Sequence, residues 1–153
     1  MSLTNDILAT ADSALMAALK SEGRARLQAM TDFMHSFERL ACTVANGEAT
    51  WAEMRPWAER TAEQLCSAHD ALTAWELELG EHFYDGGEER AERALTWRSQ
   101  HAIARELFRD TPAHELLAAY EDNEVDGDLR DRAERLALDR PSWAPQTHTW
   151  WRS

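Results

Sequence analysis

Carboxylates are the side chains in this 153-residue chain whose spacing lends itself to chemistry. Glu88, Glu89 and Glu92 stand at i, i+1 and i+4, so on a helix Glu88 and Glu92 share one face. Oxygen donors placed that way suit a hard divalent cation such as Mg2+. Asp122, Glu124, Asp126 and Asp128 alternate around Gly127 and would offer Ca2+ a ring of oxygens if that stretch were a loop. Four histidine pairings add candidate metal ligands or acid–base groups: His35 with Glu38, Glu78 with His82, His69 with Asp70, and His101 with Glu106.

The run Glu88, Glu89, Glu92 resembles the E-E-x-x-E spacing on one helix of the all-α nucleotide pyrophosphohydrolases. That resemblance implies a Mg2+-dependent hydrolase with Glu88, Glu89, Glu92 and Glu121 as ligands, the last from a second acidic pair on a neighbouring helix that Asp122 or Glu124 would complete. The stretch from Asp122 to Leu129 resembles an EF-hand calcium loop, with Gly127 at its sixth place. At the twelfth place, where such a loop needs a bidentate Glu, stands Ala133; Glu134 comes one position late, turned by about 100° on a helix. The structural alternatives are an acidic first helical turn at Glu88 and Glu89, favoured by the helix dipole, and an acidic turn in which Asp128 caps the next helix. The Glu-x-x-His motifs of ferritin-like di-metal bundles and the His-x-x-x-His pair of hemerythrin-like sites do not occur. No Gly-x-Ser-x-Gly elbow or phosphate-cradling glycine loop supports nucleophilic or nucleotide chemistry.

The elements that must position these groups are helices. From Asn5 to Ala45 apolar residues recur at three- and four-residue steps, with Gly23 as a candidate break and Asn46-Gly47 as a stop. Thr50 with Glu53 forms a capping box, Pro56 belongs to a first turn or a kink, and one long helix is expected from there to Gly80 or the Asp85-Gly86-Gly87 loop. Another long helix is expected from Glu88 to Phe108, and a short one from a Thr111 cap through Tyr120. A last helix should follow Asp126-Gly127-Asp128 and end before Pro141. The expected fold is therefore all-α, an up-down bundle of three long helices and two or three short ones. Residues 1–140 form the bundle domain, and 141–153 an extended aromatic C-terminal tail or strap.

An apolar fraction of 44% and a charged fraction of 29% are ordinary for a globular domain, and a chain of this length can bury about 70% of its unfolded surface. The net charge of -12, from 28 acidic and 16 basic residues, argues against direct nucleic-acid binding, which needs clustered Lys and Arg. The N-terminal residues have no basic flank leading into an apolar run, so neither a signal peptide nor a membrane span is expected, and the expected location is the cytoplasm. Cys42 and Cys66, without a local partner motif, read as free buried thiols in a reducing compartment.

The acids cluster: seven carboxylates and one Arg lie between Glu76 and Glu92. Trp is in surplus, with Trp51 and Trp57 flanking Pro56 and Trp143, Trp150 and Trp151 in the tail, and Trp is the residue most enriched at binding hot spots. The leading expectation is a non-catalytic interaction protein, an adaptor, inhibitor or regulator, showing an acidic helical surface to a basic protein partner. Its expected contact residues are Glu76, Glu78, Glu81, Asp85, Trp51, Trp57, Trp143, Trp150 and Trp151. A homodimer is expected from the long Ala/Leu/Met stripes. No cofactor is expected under this reading; Mg2+ or Ca2+ belongs to the hydrolase and calcium-loop alternatives.

Overall fold

Gly23 lets the first forty residues fold back on themselves. Helix α1 (Leu3–Lys20) ends at Ser21, and Gly23 takes φ +58°, a left-handed conformation that favours glycine, before α2 (Gly23–Ala45) returns alongside. In the computed structural model, which describes residues 2–84, 87–118 and 123–152, four further α-helices follow. They are α3 (Trp51–Ser67), α4 (His69–Tyr84), α5 (Glu88–Leu107) and α6 (Asn123–Leu136), with one 3-10 turn at His114–Leu117 between the last two. The protein is an all-α bundle, with no strand among the described residues.

The elements differ at four places from those read in the sequence. The long helix expected after Thr50 is two helices, α3 and α4, divided at Ala68, where neither Gly nor Pro marks the break. Pro56 lies inside α3 without ending it; the carbonyl it fails to satisfy belongs to Ala52, and both residues face water. Asp126-Gly127-Asp128, read as a turn between helices, is part of α6, so this stretch is helical where a calcium loop would be open. Thr111 does accept a hydrogen bond from the backbone N–H of Ala113, at 3.3 Å, but it introduces a 3-10 turn and not an α-helix.

The core is aromatic at its centre. Phe33 and Phe37 from α2 meet edge to face at 5.3 Å between centroids, and Trp57 of α3 and Phe108 beyond α5 close the cluster, with their own rings 5.8 Å apart. The Trp57 indole N–H, which burial would otherwise strand, donates to Asp12 of α1 at 2.8 Å. Ile7, Ala11, Leu15 and Ala18 supply the α1 side of the core at helical spacing. Cys42 and Cys66 are free thiols, each half-buried, a correction to their expected full burial; desolvation and the neighbouring Glu38 push the Cys42 thiol up.

Beyond α6 the chain turns through Ala137 at φ +55°, and the Leu138 N–H bonds back to the Ala133 carbonyl at 2.9 Å, the pattern of a Schellman C-cap. An alanine there carries left-handed strain of roughly 1 kcal/mol. Ala137→Gly should therefore raise stability by up to about 1 kcal/mol, offset in part by unfolded-chain entropy. Urea unfolding should show a higher midpoint at unchanged slope.

Candidate functional site

Helix α5 lies at the middle of the bundle, and four consecutive polar residues on it, Arg98, Ser99, Gln100 and His101, are all buried. Successive residues of an α-helix point about 100° apart, so these four side chains fan out in four directions. Each meets a different element. Arg98 donates from Nε and Nη2 to the two carboxylate oxygens of Asp126 on α6, at 2.8 and 3.2 Å. Gln100 Nε2 donates to Glu38 of α2 at 3.5 Å, and His101 Nε2 lies 2.9 Å from the Glu76 carboxylate of α4. Burial pushes the His101 pKa down despite Glu76, so the ring is neutral near pH 7 and its Nε2–H donates to the carboxylate. Trp75 lies flat between this histidine and Trp97, with centroid distances of 5.9 and 5.2 Å.

Ser99 receives the C-terminal segment. Residues 138–152 form a loop whose ends are tied together: Arg152 N–H donates to the Leu138 carbonyl at 3.0 Å, Arg140 N–H donates to the Arg152 carbonyl at 3.2 Å, and the Arg152 guanidinium pairs with Asp139. Pro141 and Pro145 each open a tight turn, their carbonyls accepting at 3.0 Å from Ala144 and His148. The loop thereby brings three rings onto one oxygen. Trp150 and Trp151 donate their indole N–H groups to Ser99 Oγ at 3.1 and 2.9 Å, and His148 Nδ1 lies 2.9 Å from the same atom. An indole nitrogen can only donate, so both hydroxyl lone pairs are filled and the hydroxyl proton must go to His148 Nδ1. His148 is thus the neutral Nε2–H tautomer. Desolvation, then Arg98 and Arg140, lower its pKa from 6.5 to about 3. Although a serine beside a histidine suggests a nucleophile and its base, this one is fully buried, its lone pairs are occupied and its histidine is a weak base; the contact is an anchor.

The anchored loop roofs a cavity of about 840 Å3. Trp51, Ala52 and Arg55 line it from the first two turns of α3, and Arg98, Ala102 and Glu106 form a stripe along α5 at i, i+4 and i+8. Pro145, His148 and Trp150 close it from the loop, and Arg109 stands beyond the end of α5. Arg55 reaches the C-terminal carbonyl of α5 at Leu107, and Arg98 lies 4.2 Å above the Trp150 ring.

Of the contact residues expected from the sequence, Glu76, Trp57, Trp150 and Trp151 are turned into the molecule and occupied there. Trp51 and Trp143 are half-buried at the loop, Glu78 is half-buried on α4, and Glu81 is exposed. Asp85 lies outside the described residues. Glu88, Glu89 and Glu92 are exposed on the first turns of α5, Glu121 lies outside the described residues, and no group of three or more His, Cys, Asp or Glu among those described is placed to hold a metal ion. His35 with Glu38 and His69 with Asp70 are loose pairs at 3.8 Å, His101 pairs with Glu76 and not Glu106, and the His82 side chain is outside the description. The sequence reading missed Ser99 and the cavity. The one available signal was a helix with polar residues on every side between apolar ones. No helix among the described residues is long and apolar enough to cross a membrane. No family model, curated protein or solved structure matches the chain.

Ser99→Ala would strand two indole N–H donors, a cost of about 2–4 kcal/mol. The Trp150 and Trp151 indole protons should then exchange with deuterium much faster, seen in proton–nitrogen spectra. Docking also holds His148 neutral, whereas a released loop protonates it below 6.5. The stability it contributes is full above pH 6.5 and is lost as pH falls toward 3. Acid should speed indole exchange across that window, and His148→Asn, which keeps an acceptor near Nδ1 but cannot titrate, should flatten the response between about pH 5 and 6.5.

Proposed function

We propose that this is a non-catalytic interaction protein that shows the outer face of α4 to a basic protein partner. Leu77 carries the reading: it is 68% exposed, more than Leu3 at 52% or Met16 at 38%, the other exposed large apolar residues among those described. It lies in an exposed row with Asp70, Thr73 and Glu81 at steps of three and four residues, one face of the helix. An apolar anchor ringed by carboxylates suits a partner that offers a small pocket with Lys or Arg at its rim. The exposed Glu88, Glu89 and Glu92, directly after the α4–α5 connection, extend the negative field. Glu76 has no part in this surface, because its carboxylate is committed to His101.

The excess of 28 acidic over 16 basic residues favours a basic protein over nucleic acid as the partner. The cytoplasm is the proposed location, and the proposed working form is a homodimer, for which light scattering should return twice the 17.4 kDa chain mass.

Capture from the native host, with the intact chain and with Leu77→Lys/Glu81→Lys as bait, tests the surface. The intact chain should retain a partner that is released by salt and that the double variant fails to hold; identical capture by both baits would sink the reading. A melting scan separates it from the metal-dependent hydrolase. Mg2+, Mn2+ or Ca2+ should leave Tm unchanged, whereas a hydrolase that holds metal through Glu88, Glu89, Glu92 and Glu121 would melt higher with the ion.

A further inference from the structure

The cavity beneath the C-terminal loop has the size and lining of a small-molecule site. Its volume of about 840 Å3 lies within the roughly 300–1,000 Å3 typical of ligand pockets, which are mostly apolar with a few fixed polar groups. Half-buried Trp51 offers an indole, and Ala102, Ile103 and Leu107 an apolar floor; the Trp150 ring in the wall is already packed under Arg98 and stacked on His148. Charge around it runs against the rest of the chain. Three guanidiniums, Arg55, Arg98 and Arg109, line it against one carboxylate, Glu106, in a protein of net charge -12.

The three arginines differ in what they can give. Arg98 is buried and held by both oxygens of Asp126. Arg109 pairs with Glu106 at 2.7 Å and lies 3.8 Å from Asp110, but all three side chains are more than half exposed, so these pairs are weak and exchangeable. Arg55 spends one Nη1 donor on the Leu107 carbonyl and holds Glu59 only loosely at 3.6 Å, leaving most of its five-donor fork for another acceptor. A guanidinium fork beside an apolar, aromatic-walled space is matched to a planar carboxylate with an apolar body.

We propose that this cavity binds a small aromatic carboxylate, with Arg55 and Arg109 as the anion-binding groups and Trp51 against its ring. The site is independent of the α4 surface, since no α4 residue lines it. Because Pro145, His148 and Trp150 form its roof, occupancy is coupled to the docked state of the loop: a ligand bound only when the roof is closed stabilises that closed state.

Titration of the full chain with 1-naphthoate, and separately with 1-naphthylmethylammonium, followed by calorimetry and by the indole signals of Trp51 and Trp150, tests the proposal. One naphthoate per chain should bind with Kd at or below about 1 mM and shift both indole signals, while the cation should bind at least tenfold more weakly. Arg55→Gln and Arg109→Gln should each weaken naphthoate by about tenfold. Ala52→Trp, placed on the exposed rim where it leaves the core untouched, should block binding while preserving the helical circular dichroism. Should Arg55→Gln fail to fold, Arg109→Gln and Ala52→Trp still decide. Unsaturable binding, equal affinity for the cation, or unchanged affinity in Ala52→Trp would overturn the proposal.

Discussion

A helix enclosed by its neighbours has nowhere to send polar side chains except into them, and α5 carries four such residues in a row. A buried polar group left without a partner costs about 1–3 kcal/mol, a large part of the net stability of a domain this size. Arg98, Ser99, Gln100 and His101 therefore constrain what surrounds them. Helix α6 must present Asp126, α2 must present Glu38, α4 must present Glu76, and the C-terminal loop must bring its three rings to one hydroxyl. Apolar packing alone would tolerate sliding among these elements; directional bonds radiating from four adjacent positions fix them around one axis. A fifth tie acts from outside, where Arg55 of α3 holds the C-terminal carbonyl of α5.

The same constraint shapes the surface. Since the loop must dip to Ser99, its second half, from Pro145 to Trp150, arches over the end of α5 and the start of α3, and the space under that arch remains open as the cavity. Trp150 serves both sides of this arrangement: its N–H faces the anchor while its ring lies under Arg98 and along the cavity wall. The acidic residues sort in a similar way. Those answering α5 are drawn inward and hydrogen-bonded there, as Glu76 and Asp126 are, and those with no inward partner, such as Asp70 and Glu81, are left to colour the outside of α4. Sequence clustering of carboxylates thus overstates the surface field, because neighbours in the chain have opposite fates.

Periodicity made the helices legible. Leu15, Phe37, Leu40 and Leu95 fall on buried faces, Gly23 divides the first two helices, and α5 runs nearly as its Glu88 start and Asp110 stop suggest. The break at Ala68 carries no such punctuation, and Gly127 looked like a turn because glycine and flanking aspartates usually mark one; packing against α5 and the Arg98 bond hold those residues helical instead. The site was less visible for a different reason. Its bonds join residues about fifty positions apart, and a lone serine between an arginine and a glutamine has no pattern to announce it. The surplus of Trp in the tail did signal that those rings need a surface, and Trp150 and Trp151 find it on their own domain.

The chemistry of the Ser99 oxygen sets a rule on how this position can change over time. It must supply two lone pairs to two indoles and one proton to an imidazole, all within a fully buried space. Serine does this from one small atom, whereas an asparagine amide spreads the same capacity over two atoms of a larger group and a thiol donates and accepts only weakly. Alanine would leave all three rings unanswered. Ser99, His148, Trp150 and Trp151 consequently form one heritable unit, whose members should persist together or be exchanged together among diverging copies of this chain.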